Sequence, residues 1–139
     1  MSETLLHTLA DLRPWPLAAL ARHLKRSEAE TRAQLVALQQ SGIVPLLETA
    51  DGWQMRPALA LLDAAWLQRQ CPAAAVQVLT VTDSTNNALM RETARANGDA
   101  ILAEYQSAGR GRRGRTWQSP FAGQIILSMS WHYPNPHDT

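Results

Sequence analysis

At 139 residues with 45% hydrophobic content, the chain is long enough to bury the core of one ordinary domain or two small ones. Its apolar runs are short and interrupted, and no basic stretch followed by an apolar block opens it, which argues against a membrane span or a secretory leader and for a cytoplasmic protein. The net charge of +1 hides an uneven distribution: Arg110, Arg112, Arg113 and Arg115 fall within six residues, whereas the first sixty residues carry six basic and six acidic groups, so a strong anion site belongs late in the chain.

Ser2 can cap a first helix in which Leu5, Leu6, Leu9 and Leu12 recur at helical spacing, and Arg13-Pro14-Trp15-Pro16 ends it. A second short helix carries Leu17, Leu20, Ala21 and Leu24 on one face. Ser27 stands three residues before Glu30, the reciprocal pattern in which two side chains satisfy the free backbone donors of a helix start. The third helix then runs to about Gln40, with Thr31, Leu35 and Leu38 inward and Gly42 as its stop. Ile43 to Glu48, a turn at Ala50-Asp51-Gly52, and Trp53-Gln54-Met55 predict a two-stranded hairpin. Three helices and a hairpin describe a winged helix-turn-helix over residues 1–57, with a small helical bundle free of any nucleic-acid role as the alternative. In the winged fold, Lys25, Arg26, Ser27, Arg32 and Gln34 are the candidate DNA contacts, opposed by Glu28 and Glu30, which phosphates repel.

Residues 58–72 form a linker, in which a leucine- and alanine-rich helix runs on through Leu67, with a boundary at Gln70-Cys71-Pro72. Residues 73–139 change character. Val76 to Val81 suggests a strand, Asp83-Ser84-Thr85-Asn86 supplies caps for a helix to about Arg95, and Asn97-Gly98 closes it. Ala100 to Tyr105 is a second buried strand, Ser107 to Arg115 a glycine and arginine loop, and Gln124 to Trp131 a third strand. This order opens an α/β domain without completing one. The whole is thus α+β in class, a winged segment followed by the start of an α/β domain.

Gly109-Arg110-Gly111-Arg112-Arg113-Gly114-Arg115, with Trp117 and Ser119-Pro120 behind it, is the most informative stretch. Glycines let backbone amides approach a ligand closely, and guanidinium groups grip carboxylate or phosphate with paired hydrogen bonds. Such a loop has little to anchor it and should be mobile when empty. From composition alone, an arginine tract contacting RNA or DNA, or a solvated loop, serves equally well. Trp53, Trp66 and Trp131 are expected to pack in the core or an interface, and Trp117 to pack in the core or seal the domain edge. The single cysteine, Cys71, cannot form an internal disulfide, and no His-x-x-x-His spacing is present, so no metal site is expected.

Asp83-Ser84-Thr85-Asn86, Glu104-Tyr105-Gln106, the tract from Ala108 to Arg115, Trp117, Ser119-Pro120 and Leu127-Ser128-Met129 follow in the order found in biotin-protein ligases. The segment from about residue 76 to 131 resembles the opening of their catalytic domain, and the winged segment resembles the bacterial type that doubles as a biotin operon repressor. The resemblance implies a ligase that joins biotin to ATP, with Mg2+, to give biotinyl-5'-AMP, and then transfers biotin to a lysine of a biotin carboxyl carrier protein. It assigns biotin binding to Ser84, Thr85, Asn86, Gln106, Gly109, Arg110, Gly111 and Arg112, with Arg110 and Arg112 catalytic. Short hydroxyl and amide side chains suit a buried urea, whose acceptor and two donors must all be satisfied. Arg113, Arg115 and Trp117 take secondary roles at the adenylate or in ordering the loop.

The resemblance further implies operator DNA as a partner, a homodimer of the full-length protein, and no membrane. The family's Lys-Trp-Pro-Asn segment and C-terminal barrel have no counterpart before Thr139, and the one lysine, Lys25, falls in the first segment. The chain alone is therefore expected not to complete the reaction. A winged-helix regulator that senses biotin without catalysis, and a nucleic-acid-binding protein using Arg110 to Arg115 directly, remain as competing readings.

Overall fold

The computed structural model describes residues 3–11, 13–57, 59–111, 113, 115–117 and 119–133. Ser2, Leu12, Arg112, Gly114 and the tail from 134 onward lie outside them. The chain divides into two compact units, Met1–Leu61 with Pro120–Gly123, and Leu62–Ser119 with Gln124–Thr139.

The first unit opens with three helices, α1 (Glu3–Leu9), α2 (Leu17–His23) and α3 (Glu28–Ser41), followed by a hairpin of β1 (Leu46–Thr49) and β2 (Gly52–Met55). Helix α3 is held at its start as the sequence predicts. Glu30 N donates to Ser27 Oγ at 3.2 Å, and Ser27 N donates back to Glu30 Oε2 at 3.1 Å. Gly42, left-handed at φ 65°, ends it. Thr31, Leu35 and Leu38 face inward and, like Leu5, Leu6, Leu9 and Leu20, are buried, all fully apart from a trace of Leu38.

One pairing was not legible in the pattern. Trp15 and Trp53 exchange backbone hydrogen bonds of 2.8 and 2.9 Å, so the segment between α1 and α2 pairs with β2 as a third strand-like edge. Gly52 allows this approach, because a Cβ there would lie 2.3 Å from the Trp15 carbonyl group.

The second unit contains α4 (Ala64–Gln70), β3 (Val76–Thr82), α5 (Thr85–Arg91), β4 (Ala100–Gln106), the short strands β5 (Gly109–Arg110) and β6 (Thr116–Trp117), and β7 (Ile126–Met129). The linker helix begins later than its alanine and leucine content suggests. Asp63 Oδ1 accepts from Trp66 N at 2.8 Å and starts α4 there. Likewise α5 ends at Arg91 rather than near Arg95. Arg95 instead turns inward, pairing with Glu92 at 2.7 Å and reaching Gln77.

Strand β4 is the middle of a three-stranded sheet in the order β3-β4-β7, parallel to β3 and antiparallel to β7. The parallel pair requires a crossover, which α5 supplies. Asp99 pins both strand starts: its buried carboxylate accepts from Ala75 N at 2.8 Å and Ala96 N at 2.9 Å, which holds its pKa below the ordinary range. Ile101, Leu102 and Ala103 are buried along β4.

Two of the tryptophans expected in the core or at an interface lie outside the core of this chain. Trp66 is 52% exposed and Trp131 56% exposed, whereas Trp53 is buried at 1%. No helix among the described residues is long and apolar enough to cross a membrane.

Candidate functional site

The site lies where β3 and β4 end side by side. Beyond the registered pairs, Ser107 N donates to Thr82 O and Ala108 N to Asp83 O, both at 2.9 Å, so the two strand exits stay zipped past the sheet. This delivers the turn 83–86 and the glycine-arginine tract to one place. The turn is braced from outside by a fork of hydrogen bonds. Arg91 donates to both Asp83 oxygens, at 2.8 and 3.1 Å, and Asn87 Nδ2 donates to one of them at 3.0 Å. The Arg91 guanidinium, ahead of Asn87 and the Ser84 backbone, holds the Asp83 carboxyl far below its usual pKa.

Within the turn, Ser84 caps α5, though Asn87 N reaches its Oγ only at 3.5 Å, a weak bond that leaves the hydroxyl largely uncommitted. Thr85 is more firmly held. Its N–H donates to Gln106 Oε1 at 2.7 Å, its hydroxyl lies 3.2 Å from the same oxygen, and Ser128 Oγ lies 2.9 Å from that hydroxyl. With Gln106 Oε1 committed to a fixed backbone donor, its Nε2 lies on the other side, toward Gly109.

The tract itself is organised differently from an unanchored loop. Gly109 pairs with Trp117 and Arg110 with Thr116 as the ribbon β5–β6, and Gly111 N donates to Arg115 O at 2.7 Å. Gly109 is required by the crossing, since a Cβ would sit 2.8 Å from the Trp117 carbonyl oxygen and 3.1 Å from Gln106 Nε2. Arg113, at φ 60°, and Arg115 are exposed. Arg112, which the sequence singles out, lies outside the described residues.

Ser84, Thr85, Asn86, Gln106, Arg110 and Trp117 line a single open cavity of about 550 Å3, closed on its other side by residues 124–128. That size is ordinary for a small-molecule pocket. Trp117 is 52% exposed and borders this space, so the core placement expected for it does not hold. Sequence reasoning placed a strand at Gln124 to Trp131 and quoted Leu127-Ser128-Met129 as a landmark, but gave residues 124–128 no part in the site. The available signal was a lone serine in the apolar run Ile126-Leu127-Ser128-Met129.

Residues 75–137 match the family model described as the biotin/lipoate A/B protein ligase family. This segment, a little under half of the chain, is similar to that family. The bifunctional ligase/repressor BirA of Salmonella typhimurium is 38% identical over 129 residues, which cover 92% of this chain and 40% of the relative. BirA of Escherichia coli is 38% identical over 113 residues, covering 81% of the chain and 35% of the relative. The biotin--[acetyl-CoA-carboxylase] ligase of Mycobacterium tuberculosis is 42% identical over 82 residues, 57% of the chain and 28% of its own length. The chain therefore spans two fifths or less of these curated ligases.

The candidate DNA contacts belong to the first unit. Ser27 is committed to capping, Arg26 donates to Gln34 Oε1 at 2.5 Å, and Arg32 pairs with Glu48 on the hairpin at 3.3 Å. Lys25 is exposed in a left-handed turn, φ 55°, between α2 and α3.

Proposed function

We propose that this chain is part of a biotin-protein ligase that activates biotin with ATP to biotinyl-5'-AMP and transfers it to a lysine of a biotin carboxyl carrier protein. The observation that carries the reading is the cavity's lining, which brings the hydroxyl and amide groups of Ser84, Thr85, Asn86 and Gln106 together with the Arg110 guanidinium. A cyclic urea offers one acceptor and two donors to the first group, and a carboxylate at the far end of the ligand meets the arginine. Attack of that carboxylate on the α-phosphate builds negative charge, which Arg110 and Arg112 would stabilise electrostatically. Gly109 and Gly111 keep the ribbon backbone close to the ligand. No carboxylate lines the cavity among the described residues, so Mg2+ would enter on the nucleotide's phosphates rather than on side chains.

In the same reading, residues 1–57 are a winged helix-turn-helix, 58–72 a linker and 73–139 the first portion of the catalytic domain, in a cytoplasmic protein. The first segment binds operator DNA, and biotinyl-5'-AMP acts as corepressor by promoting a homodimer. Support comes from the repressor named among the relatives and from the three helices and hairpin of the first unit. Calorimetry with biotin and biotinyl-5'-AMP tests the ligand. Saturable binding of both is expected, and absence of either heat, with the protein folded, would remove the basis of the assignment.

A further inference from the structure

Ser128 sits in an otherwise apolar strand, half-buried, with its hydroxyl 2.9 Å from the Thr85 hydroxyl. The protons of this cluster can be counted. Gln106 Oε1 only accepts, and it already takes the Thr85 N–H. The Thr85 hydroxyl has one proton and two acceptors in reach, Gln106 Oε1 at 3.2 Å and Ser128 Oγ at 2.9 Å. If Thr85 donates to Gln106, Ser128 must donate to Thr85, and Ser128 Oγ keeps only lone pairs for whatever fills the cavity it lines. If Thr85 donates to Ser128 instead, Ser128 turns a proton toward the cavity.

The rest of the polar lining decides between the two. Gln106 commits its Oε1 to Thr85 and leaves Nε2 as a donor, and the Arg110 guanidinium only donates, so a ligand N–H finds its side-chain acceptors among the hydroxyls and the amide oxygens of Asn86 and Gln124, of which Ser128 Oγ is the one fixed by a hydrogen bond to Thr85. We propose that Ser128 is a further specificity-determining residue of this cavity: by donating to Thr85 it presents its oxygen as the acceptor for a ligand N–H. This rests on the ligase reading, in which the N–H is one of the two on the ureido ring of biotin. Ser128 thereby extends recognition from the turn 83–86 and Gln106 to the adjoining strand β7.

The test is calorimetric titration of the chain with biotin and with the two cyclic carbamates in which one or the other ring N–H is replaced by oxygen. The wild-type chain should bind one carbamate about tenfold or more weaker than biotin, because the replacement sets an acceptor against an acceptor. Ser128→Ala should lose that preference, and Ser128→Thr, which keeps the hydroxyl, should retain it. If Ser128→Ala does not fold, the near-isosteric Ser128→Cys, a weak hydrogen-bonding group, should show the same loss. Biotin binding with a preference unchanged by either loss variant overturns the role of Ser128 alone. Failure of the folded wild-type chain to bind biotin overturns the ligand reading and this inference with it.

Discussion

Gln106 accepts two hydrogen bonds from one residue, Thr85: the backbone N–H at 2.7 Å and the hydroxyl at 3.2 Å. The end of β4 is thus tied to the first turn of α5 through a single oxygen. Replacing Gln106 with Leu keeps the volume and removes the acceptor, leaving a donor on a residue that is only 3% exposed. The expected loss is about 1–3 kcal/mol of stability. Urea unfolding measures it, and an unchanged midpoint would mean that water replaces Gln106 at no cost.

Gly109→Ala probes the crossing of the ribbon strands. Its methyl group would meet the Trp117 carbonyl oxygen at 2.8 Å and Gln106 Nε2 at 3.1 Å, so the backbone must move. Biotin affinity should fall about tenfold or more, with helix content by circular dichroism preserved, because the clash is local to the cavity. Equal loss of secondary structure would assign Gly109 to folding instead.

Asp83 makes stability dependent on acid. Its carboxyl, held far below the unfolded value of 3.8 chiefly by Arg91, contributes fully above that value and loses its contribution as pH falls toward the folded pKa. Asp83→Asn should therefore be less stable than wild type at neutral pH. The two proteins should converge as pH drops below about 4. Urea midpoints across the range supply the measurement, and a constant gap down to about pH 2 would assign the effect to shape rather than charge.

In the first unit, Glu48 holds Arg32 in an exposed ion pair, which contributes little to stability. If α3 faces DNA, Glu48→Ala frees one cation near the phosphates. Affinity should rise, and the dependence of log K on log salt should steepen by about one charge equivalent. A mobility-shift titration at several salt concentrations reads both. An unchanged slope would place Arg32 away from DNA.

Arg112→Ala, in a protein competent for ligation, should weaken retention of biotinyl-5'-AMP and lower ligation about tenfold or more, since loss of one charged partner in an anion site costs about 2–4 kcal/mol. Arg113→Ala should do less. Dissociation rates unaffected by both would dissociate the tract from the adenylate.

The parts of this molecule that were legible in the sequence are those fixed by neighbouring residues. The Ser27–Glu30 pair and Gly42 frame α3 because capping is decided within a few positions, and the branched residues from Val76 to Val81 and the apolar run from Ala100 to Tyr105 mark strands for the same reason. The turn 83–86, Gln106 and Arg110 were also foreseen, and they line one cavity. What stayed hidden depends on distant partners. The Trp15–Trp53 pairing spans 38 positions and needs Gly52 at the crossing point. The bond from Thr85 to Ser128 spans 43, and although a lone serine stands out in the apolar run, nothing local names its partner. Core packing failed for Trp117 because hydrophobicity predicts burial only on average, and Trp66 and Trp131 are likewise more than half exposed in this chain.

That distribution of indoles has a spectroscopic use. Both tryptophans of the first unit, Trp15 at 9% and Trp53 at 1% exposure, are shielded, while the three of the second unit are open to solvent. Iodide should quench the long-wavelength emission of the second unit and spare the blue emission of the first. The unfolding of each unit can then be followed at its own wavelength without a label, and Trp117, on the cavity rim, would respond to a ligand directly.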